Sequence, residues 1–119
     1  MSDRSEIEQA VNLYFEGMNT NDTSIIPLSE DVVISGPMMP EPMSGESAVR
    51  QYLDETSPFI ARIDVELILV DGDQAATVVE FEALNGVVFK GAQFFKVRDG
   101  LITADIIFFD TRLLLKGAS

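Results

Sequence analysis

Twenty Asp and Glu residues stand against eight Lys and Arg, and the chain has neither histidine nor cysteine. Any acid–base chemistry therefore falls to carboxylates, with tyrosine as the other candidate. Without histidine the commonest general base and the commonest transition-metal ligand are missing. Serine–histidine and cysteine–histidine catalysis are excluded, and zinc is not expected. No calcium-loop spacing occurs, and the two glycine-led stretches, 45–50 (GESAVR) and 72–77 (GDQAAT), lack the spacing of a phosphate-binding loop. The expectation is no metal and no cofactor.

Three carboxylates stand out by position. Glu80 and Glu82 flank Phe81 as a possible catalytic pair, and Asp105 lies inside the apolar stretch ITADIIFF. A carboxylate held among apolar side chains has its pKa raised by desolvation, which suits it to deprotonate carbon acids. The alternative is an Asp105 at an open rim, solvated or paired with a lysine. Tyr14 can be a hydrogen-bond donor in such a site, or a core aromatic with a satisfied hydroxyl.

Length and charge bound what surrounds these residues. A chain of 119 residues makes one domain, read here as 1–119, and can bury roughly two-thirds of its unfolded surface. A net charge of −12 repels phosphate backbones and anionic membranes, so neither nucleic acid nor membrane is an expected partner. No apolar run approaches the ~18 residues of a membrane span. The polar, acidic start MSDRSEIEQ is unlike a signal peptide, so a cytoplasmic location is expected.

The elements that must position the candidates follow from periodicity. Ile7, Ala10, Val11, Tyr14, Phe15 and Met18 form one helical stripe, with Ser5 and Glu8 as a capping box. Asn19–Asp22 breaks this helix, and Asp22 can cap a short second one disturbed by Pro27. Residues 31–35 (DVVIS) read as a strand, and 36–45 as a loop rich in Pro, Gly and Met. A further helix, capped by Ser44, carries Ala48, Val49, Tyr52 and Leu53 and ends at Pro58. Ile63, Val65, Leu67 and Leu69 alternate with polar residues as a half-buried strand. Three more β-rich runs follow from residue 70 to 110, joined at Asn85-Gly86 and Asp99-Gly100, both suited to two-residue type I′ hairpins. Helices followed by an antiparallel meander imply an α+β fold with helices on one face of a curved sheet.

Two-residue turns fix which side chains share a face. One face then carries Thr77, Val79, Phe81, Val88, Lys90, Ala92, Phe94, Asp105, Ile107 and Phe109. The other carries Val78, Glu80, Glu82, Phe89, Gly91, Gln93, Phe95, Ile106 and Phe108. A bulge would shift everything downstream of it. Both faces are strongly apolar, so the face turned away from the helices needs a partner.

The element order, together with NTND after the first helix, SEDVVISGP, PMSGESAV and FFKVRDGLITADIIFFD, resembles the SnoaL-like branch of the nuclear transport factor 2-like superfamily along essentially the whole chain. That resemblance implies a cone: a curved antiparallel sheet wrapped around N-terminal helices and enclosing one apolar pocket. Relatives include ketosteroid isomerase, limonene epoxide hydrolase, scytalone dehydratase, polyketide cyclases and proteins without catalysis, so the fold does not settle the function. By the resemblance the first face is the inner one. The ketosteroid isomerase pattern keeps Tyr14 but puts its base at Gly36 and its acid at Ala92. The limonene epoxide hydrolase pattern puts its last-strand aspartate at Ile107, and the histidines of scytalone dehydratase are missing. Asp105 as base and Tyr14 as donor remain. The expected pocket lining is Met18, Ile34, Met38, Met39, Tyr52, Phe59, Phe81, Lys90, Ala92, Phe94, Ile107 and Phe109. Lys90 serves as a pocket ion-pair partner or snorkels to the rim. The three loop methionines form an adaptable mouth or simply pack the loop. The resemblance implies a homodimer through the outer sheet face and a small apolar ligand. The open alternatives are a cofactor-free isomerase, cyclase or dehydratase and a non-catalytic binding or interaction module.

Overall fold

A computed structural model describes residues 3–112. Helix α1 spans Arg4–Thr20, and its apolar stripe is the one the sequence predicts: Ile7, Ala10, Val11, Tyr14, Phe15 and Met18 are all buried. Its cap differs. Asp3, not Ser5, accepts the Glu6 backbone N–H at 2.8 Å. Asn21 closes the helix in the left-handed region (φ 56°). Residues Thr23–Ile25 form one 3-10 turn rather than a second helix, capped by Asp22. This turn folds back on α1 so closely that a Cβ on Gly17 would stand 2.6 Å from Ile26 Cγ1. The glycine is there for that approach, although glycine inside a helix costs about 1 kcal/mol.

Strands β1 (Leu28–Ser35) and β2 (Met43–Ser44) frame the Pro- and Met-rich loop, and helix α2 follows over Glu46–Thr56. Its N-cap is Gly45 without a side-chain bond, because Ser44 is used in β2. Strands β3 (Ile60–Asp71), β4 (Gln74–Ala83), β5 (Val88–Arg98) and β6 (Leu101–Phe109) form the meander. The sheet order is β2-β1-β6-β5-β4-β3. It is a mixed sheet rather than the wholly antiparallel one expected, because β1 lies parallel to β6 while the other pairs are antiparallel. The helices cover its concave face. Asn19 clips α1 to β3, accepting from Ile63 N at 2.7 Å and donating to Ile63 O at 2.9 Å. Among the described residues no helix is long and apolar enough to cross a membrane.

Register departs from the sequence expectation at three places. At the β4–β5 turn, Glu82 faces Val88 and Ala83 N donates to Val87 O, leaving a three-residue loop of Leu84, Asn85 and Gly86. Gly86 takes the positive φ (87°) that such a loop demands. The extra residue reverses the parity of β5: Phe89, Gln93, Phe95 and Val97 turn inward, and Val88, Lys90, Ala92 and Phe94 turn outward. The β5–β6 turn is the two-residue one expected, with Asp99 and Gly100 both at positive φ and Arg98 facing Leu101. A bulge at Thr103 then shifts the pairing from Val97–Ile102 to Lys96–Ala104 and reverses parity again. Asp105, Ile107 and Phe109 therefore face inward, as expected, through two slips that cancel. The third departure lies in β3, where a shift between Val65 and Leu67 puts Ile68 and Val70 inward and exposes Leu67 and Leu69.

Candidate functional site

A cavity of about 260 Å³ opens between α1, α2, the loop after β1 and the concave sheet. The helices contribute Tyr14, Met18, Tyr52, Leu53 and Thr56. Phe81, Phe89, Ile107 and Phe109 supply an aromatic and aliphatic wall, in which Phe89 stacks on Phe81 (centroids 5.2 Å) and meets Phe109 (5.3 Å). Met38, Met39 and Phe59 stand at the mouth, Met38 and Phe59 largely exposed. Of the expected lining, Met18, Met38, Met39, Tyr52, Phe59, Phe81, Ile107 and Phe109 border this cavity.

Four residues do not. Ile34 is fully buried but paired beside Asp105 in the β1–β6 ladder, in the core and off the cavity wall. Lys90, Ala92 and Phe94 lie on the convex face, carried there by the three-residue loop. Lys90 pairs with Glu66 at 3.2 Å, and Phe94 meets Phe108 edge-on at 5.7 Å. Phe89, Gln93 and Phe95, expected on the outer face, point inward for the same reason.

The polar end of the cavity is built from three elements. Tyr14 on α1 is 3% exposed, its ring held edge-on by Phe15 and Phe95, both at 5.1 Å. Gln93 on β5 is 1% exposed and donates through Nε2 to Asp105 Oδ1 (3.0 Å) and to the Tyr14 hydroxyl oxygen (3.2 Å). Asp105 on β6 is 2% exposed and also interacts directly with the Tyr14 hydroxyl. Tyr14 and Gln93 face the cavity, and Asp105 lies one side chain behind them. Burial pushes the Asp105 carboxyl up to about 7, while its hydrogen bonds from Gln93 and Tyr14 restrain the rise. Burial, and then the Asp105 charge, push the Tyr14 hydroxyl well above its ordinary value. Two buried polar atoms of the cluster have no partner: Gln93 Oε1 and Asp105 Oδ2.

Glu80 and Glu82 form no catalytic pair. Arg62 on β3 binds both, at 3.1 and 3.3 Å, and also pairs with Asp64. Glu82, at the strand end, touches only the cavity margin. Asp110 and Arg112 form a salt bridge at 2.8 Å. Among the described residues no cluster of three or more carboxylates could hold a metal ion.

Among curated proteins none matches the chain. Solved structures match its fold closely. An LEH-like epoxide hydrolase of M. tuberculosis is 21% identical with a TM-score of 0.83, covering 95% of this chain and 89% of that one. A putative ketosteroid isomerase from Kribbella flavida DSM 17836 is 24% identical with a TM-score of 0.80, covering 92% and 82%. TerC, co-crystallised with polyporic acid, is 18% identical with a TM-score of 0.83, covering 96% and 99%. At these identities they establish the curved-sheet fold. The family model for the SnoaL-like domain matches residues 11–104, from the middle of α1 to the bulge in β6. The chain belongs to the SnoaL-like domain family of the nuclear transport factor 2-like superfamily.

Proposed function

We propose that this chain binds a small apolar molecule in the cone and performs cofactor-free acid–base chemistry on it: isomerisation, cyclisation or dehydration. The family's members include isomerases, cyclases and epoxide hydrolases. The observation that carries the reading is the buried Tyr14–Gln93–Asp105 cluster at the end of an otherwise apolar cavity. A carboxyl that titrates near neutrality can hold a transferable proton at working pH. Tyr14 stands on the wall and Asp105 behind it, so Tyr14 touches the substrate and Asp105 stores the proton that Tyr14 delivers or collects. A carbon-acid probe tests this. The protein accelerates exchange of the α-hydrogens of 2-tetralone in D2O, followed by proton NMR. Asp105→Asn and Tyr14→Phe each lose about 100-fold of that acceleration. A probe that binds without any accelerated exchange overturns the catalytic reading and leaves the binding module.

We further propose a homodimer through the convex face. Val78, Phe94, Ile106 and Phe108 cluster there, Phe108 at 56% exposure. Light scattering gives a dimer at micromolar concentration, and Phe108→Glu gives a monomer. A monomeric wild type overturns the assignment.

A further inference from the structure

Gln93 has both a cavity position and an unmet valence. Its amide nitrogen spends its two hydrogens on Asp105 and Tyr14, at 3.0 and 3.2 Å. Its carbonyl oxygen is buried with no partner. A buried acceptor left unpaired is costly, and native proteins rarely leave one without a use. Thr77 Oγ1 donates to the Gln93 backbone carbonyl at 3.0 Å, and the strands either side hold that backbone in register. The side chain is therefore fixed by its two amide bonds and cannot readily turn its oxygen to another protein group.

The surroundings define what could satisfy that oxygen. Most of the cavity wall is apolar: Met18, Ile63, Phe81, Phe89, Ile107 and Phe109 offer no donor, Thr56 donates to the Tyr52 carbonyl, and the Tyr52 hydroxyl makes no bond to Gln93 Oε1. The space of about 260 Å³ lies below the usual range for drug-sized pockets, roughly 300–1,000 Å³, so the occupant is compact. Ionised Asp105 is a poor neighbour for a second anion, which argues for a neutral donor rather than a carboxylic acid.

We propose that Gln93 is the specificity-determining residue of this cavity, and that its carbonyl oxygen accepts a hydrogen bond from a hydroxyl on a compact, neutral, apolar ligand: an alcohol, a phenol or an enol. This deepens the small-molecule reading of the cavity and rests on it. A site built to pair a hydroxyl rejects the analogue lacking it more strongly than an apolar wall discriminates by size, because rejection leaves the buried acceptor unpaired. Tyr14 already gives its one hydrogen to Asp105 and accepts from Gln93, whereas Gln93 Oε1 has no partner.

Two probes of nearly equal shape separate the possibilities: 2-naphthol, which donates, and 2-methoxynaphthalene, which only accepts. Both are titrated into the intact protein at pH 8 by calorimetry, with the methyl resonances of Met18 and Met39 reporting occupancy of the cavity. The expected result is tighter binding of 2-naphthol by roughly tenfold or more. Gln93→Met, which keeps the length and removes the acceptor, brings the two affinities within about twofold. Tyr14→Phe keeps the preference. Because Gln93→Met also removes a partner of Asp105, the double variant Gln93→Met with Asp105→Asn provides the same comparison in a fold without the buried charge. Equal binding of both probes by the wild type, with the methionine resonances shifted, overturns the role of Gln93 and leaves the pocket reading standing. Binding of neither probe overturns both. A preference that survives in both Gln93 variants assigns the hydroxyl to another group and also overturns the proposal.

Discussion

The stability of Asp105→Asn against pH tests the central electrostatic claim. In the unfolded chain an aspartate titrates near 3.8, whereas burial in the fold raises Asp105 to about 7. The raised value means the native state holds this proton more tightly than the unfolded state. Between those two values the native state still carries a proton that unfolding releases, so rising pH favours unfolding. This group's contribution is most favourable below pH 3.8, falls through the window to 7, and is flat above it. Each pKa unit is worth 1.36 kcal/mol, so the window amounts to about 4 kcal/mol, and the part between pH 5 and pH 8 to about 3 kcal/mol. Asparagine keeps the shape and an Oδ1 that accepts from Gln93. Urea unfolding followed by far-ultraviolet circular dichroism at pH 5, 6, 7 and 8 gives the comparison. Asp105→Asn gains on the wild type by about 2–3 kcal/mol as pH rises from 5 to 8. Exposed Asp31, whose carboxyl Ser29 holds below its ordinary value, acts in the opposite direction but is common to both proteins and cancels. Parallel stability curves for the two proteins would refute the claim that Asp105 titrates while buried.

Three further substitutions report on what positions the site. Gly17→Ala places a Cβ 2.6 Å from Ile26 and 2.9 Å from the Asp22 carbonyl, and destabilises the fold by about 1–3 kcal/mol in chemical denaturation despite alanine's better helix propensity. Asn19→Ala cuts both bonds between α1 and the Ile63 backbone and costs about 1–3 kcal/mol, measured as a lower urea midpoint at unchanged slope. Tyr14→Phe removes a hydrogen bond that favours ionised Asp105, so the carboxyl titrates still higher, read from the pH dependence of its carboxyl carbon resonance.

The helical half of the site was legible because its signal is local. The α1 stripe needs only the 3.6-residue period, and it places Tyr14 and Met18 correctly without knowledge of the sheet. Which strand lies beside β1 is a non-local matter: the parallel β1–β6 pairing joins residues about seventy positions apart, and no local pattern announces it. Gln93 was missed for a different reason. Asn85-Gly86 suits a two-residue turn and equally supplies the glycine of a three-residue one, and the two differ in every side chain downstream. The residues of β5 themselves carried the deciding signal. Lys90, Lys96 and Arg98 share one parity, and three cations are far more costly on the face of an apolar core than on a solvated one. Weighing that charge pattern above the turn type puts Phe89, Gln93, Phe95 and Val97 inside.

Asp105 shows how a correct placement can rest on an incomplete path. Its inward orientation depends on an even number of parity reversals between β4 and β6. Two exist that the turn rules do not contain: the third residue of the Leu84–Gly86 loop and the bulge at Thr103. Either alone would turn Asp105 to the convex face, and with it Ile107 and Phe109. The bulge therefore has a role in the chemistry. It lets Ile102 point into the core beside Val97 and still returns Asp105 to the same side three residues later, a spacing that a regular strand cannot provide. In a regular strand of this sequence, with Thr103 paired instead of bulged, Ile102 and Asp105 would face opposite sides, which would force a choice. Either Asp105 stays inside and Ile102 is expelled, or Ile102 stays and the carboxylate leaves the Tyr14–Gln93 cluster. The apolar side chain and the proton-storing group can both be buried on this strand only because the strand is irregular between them.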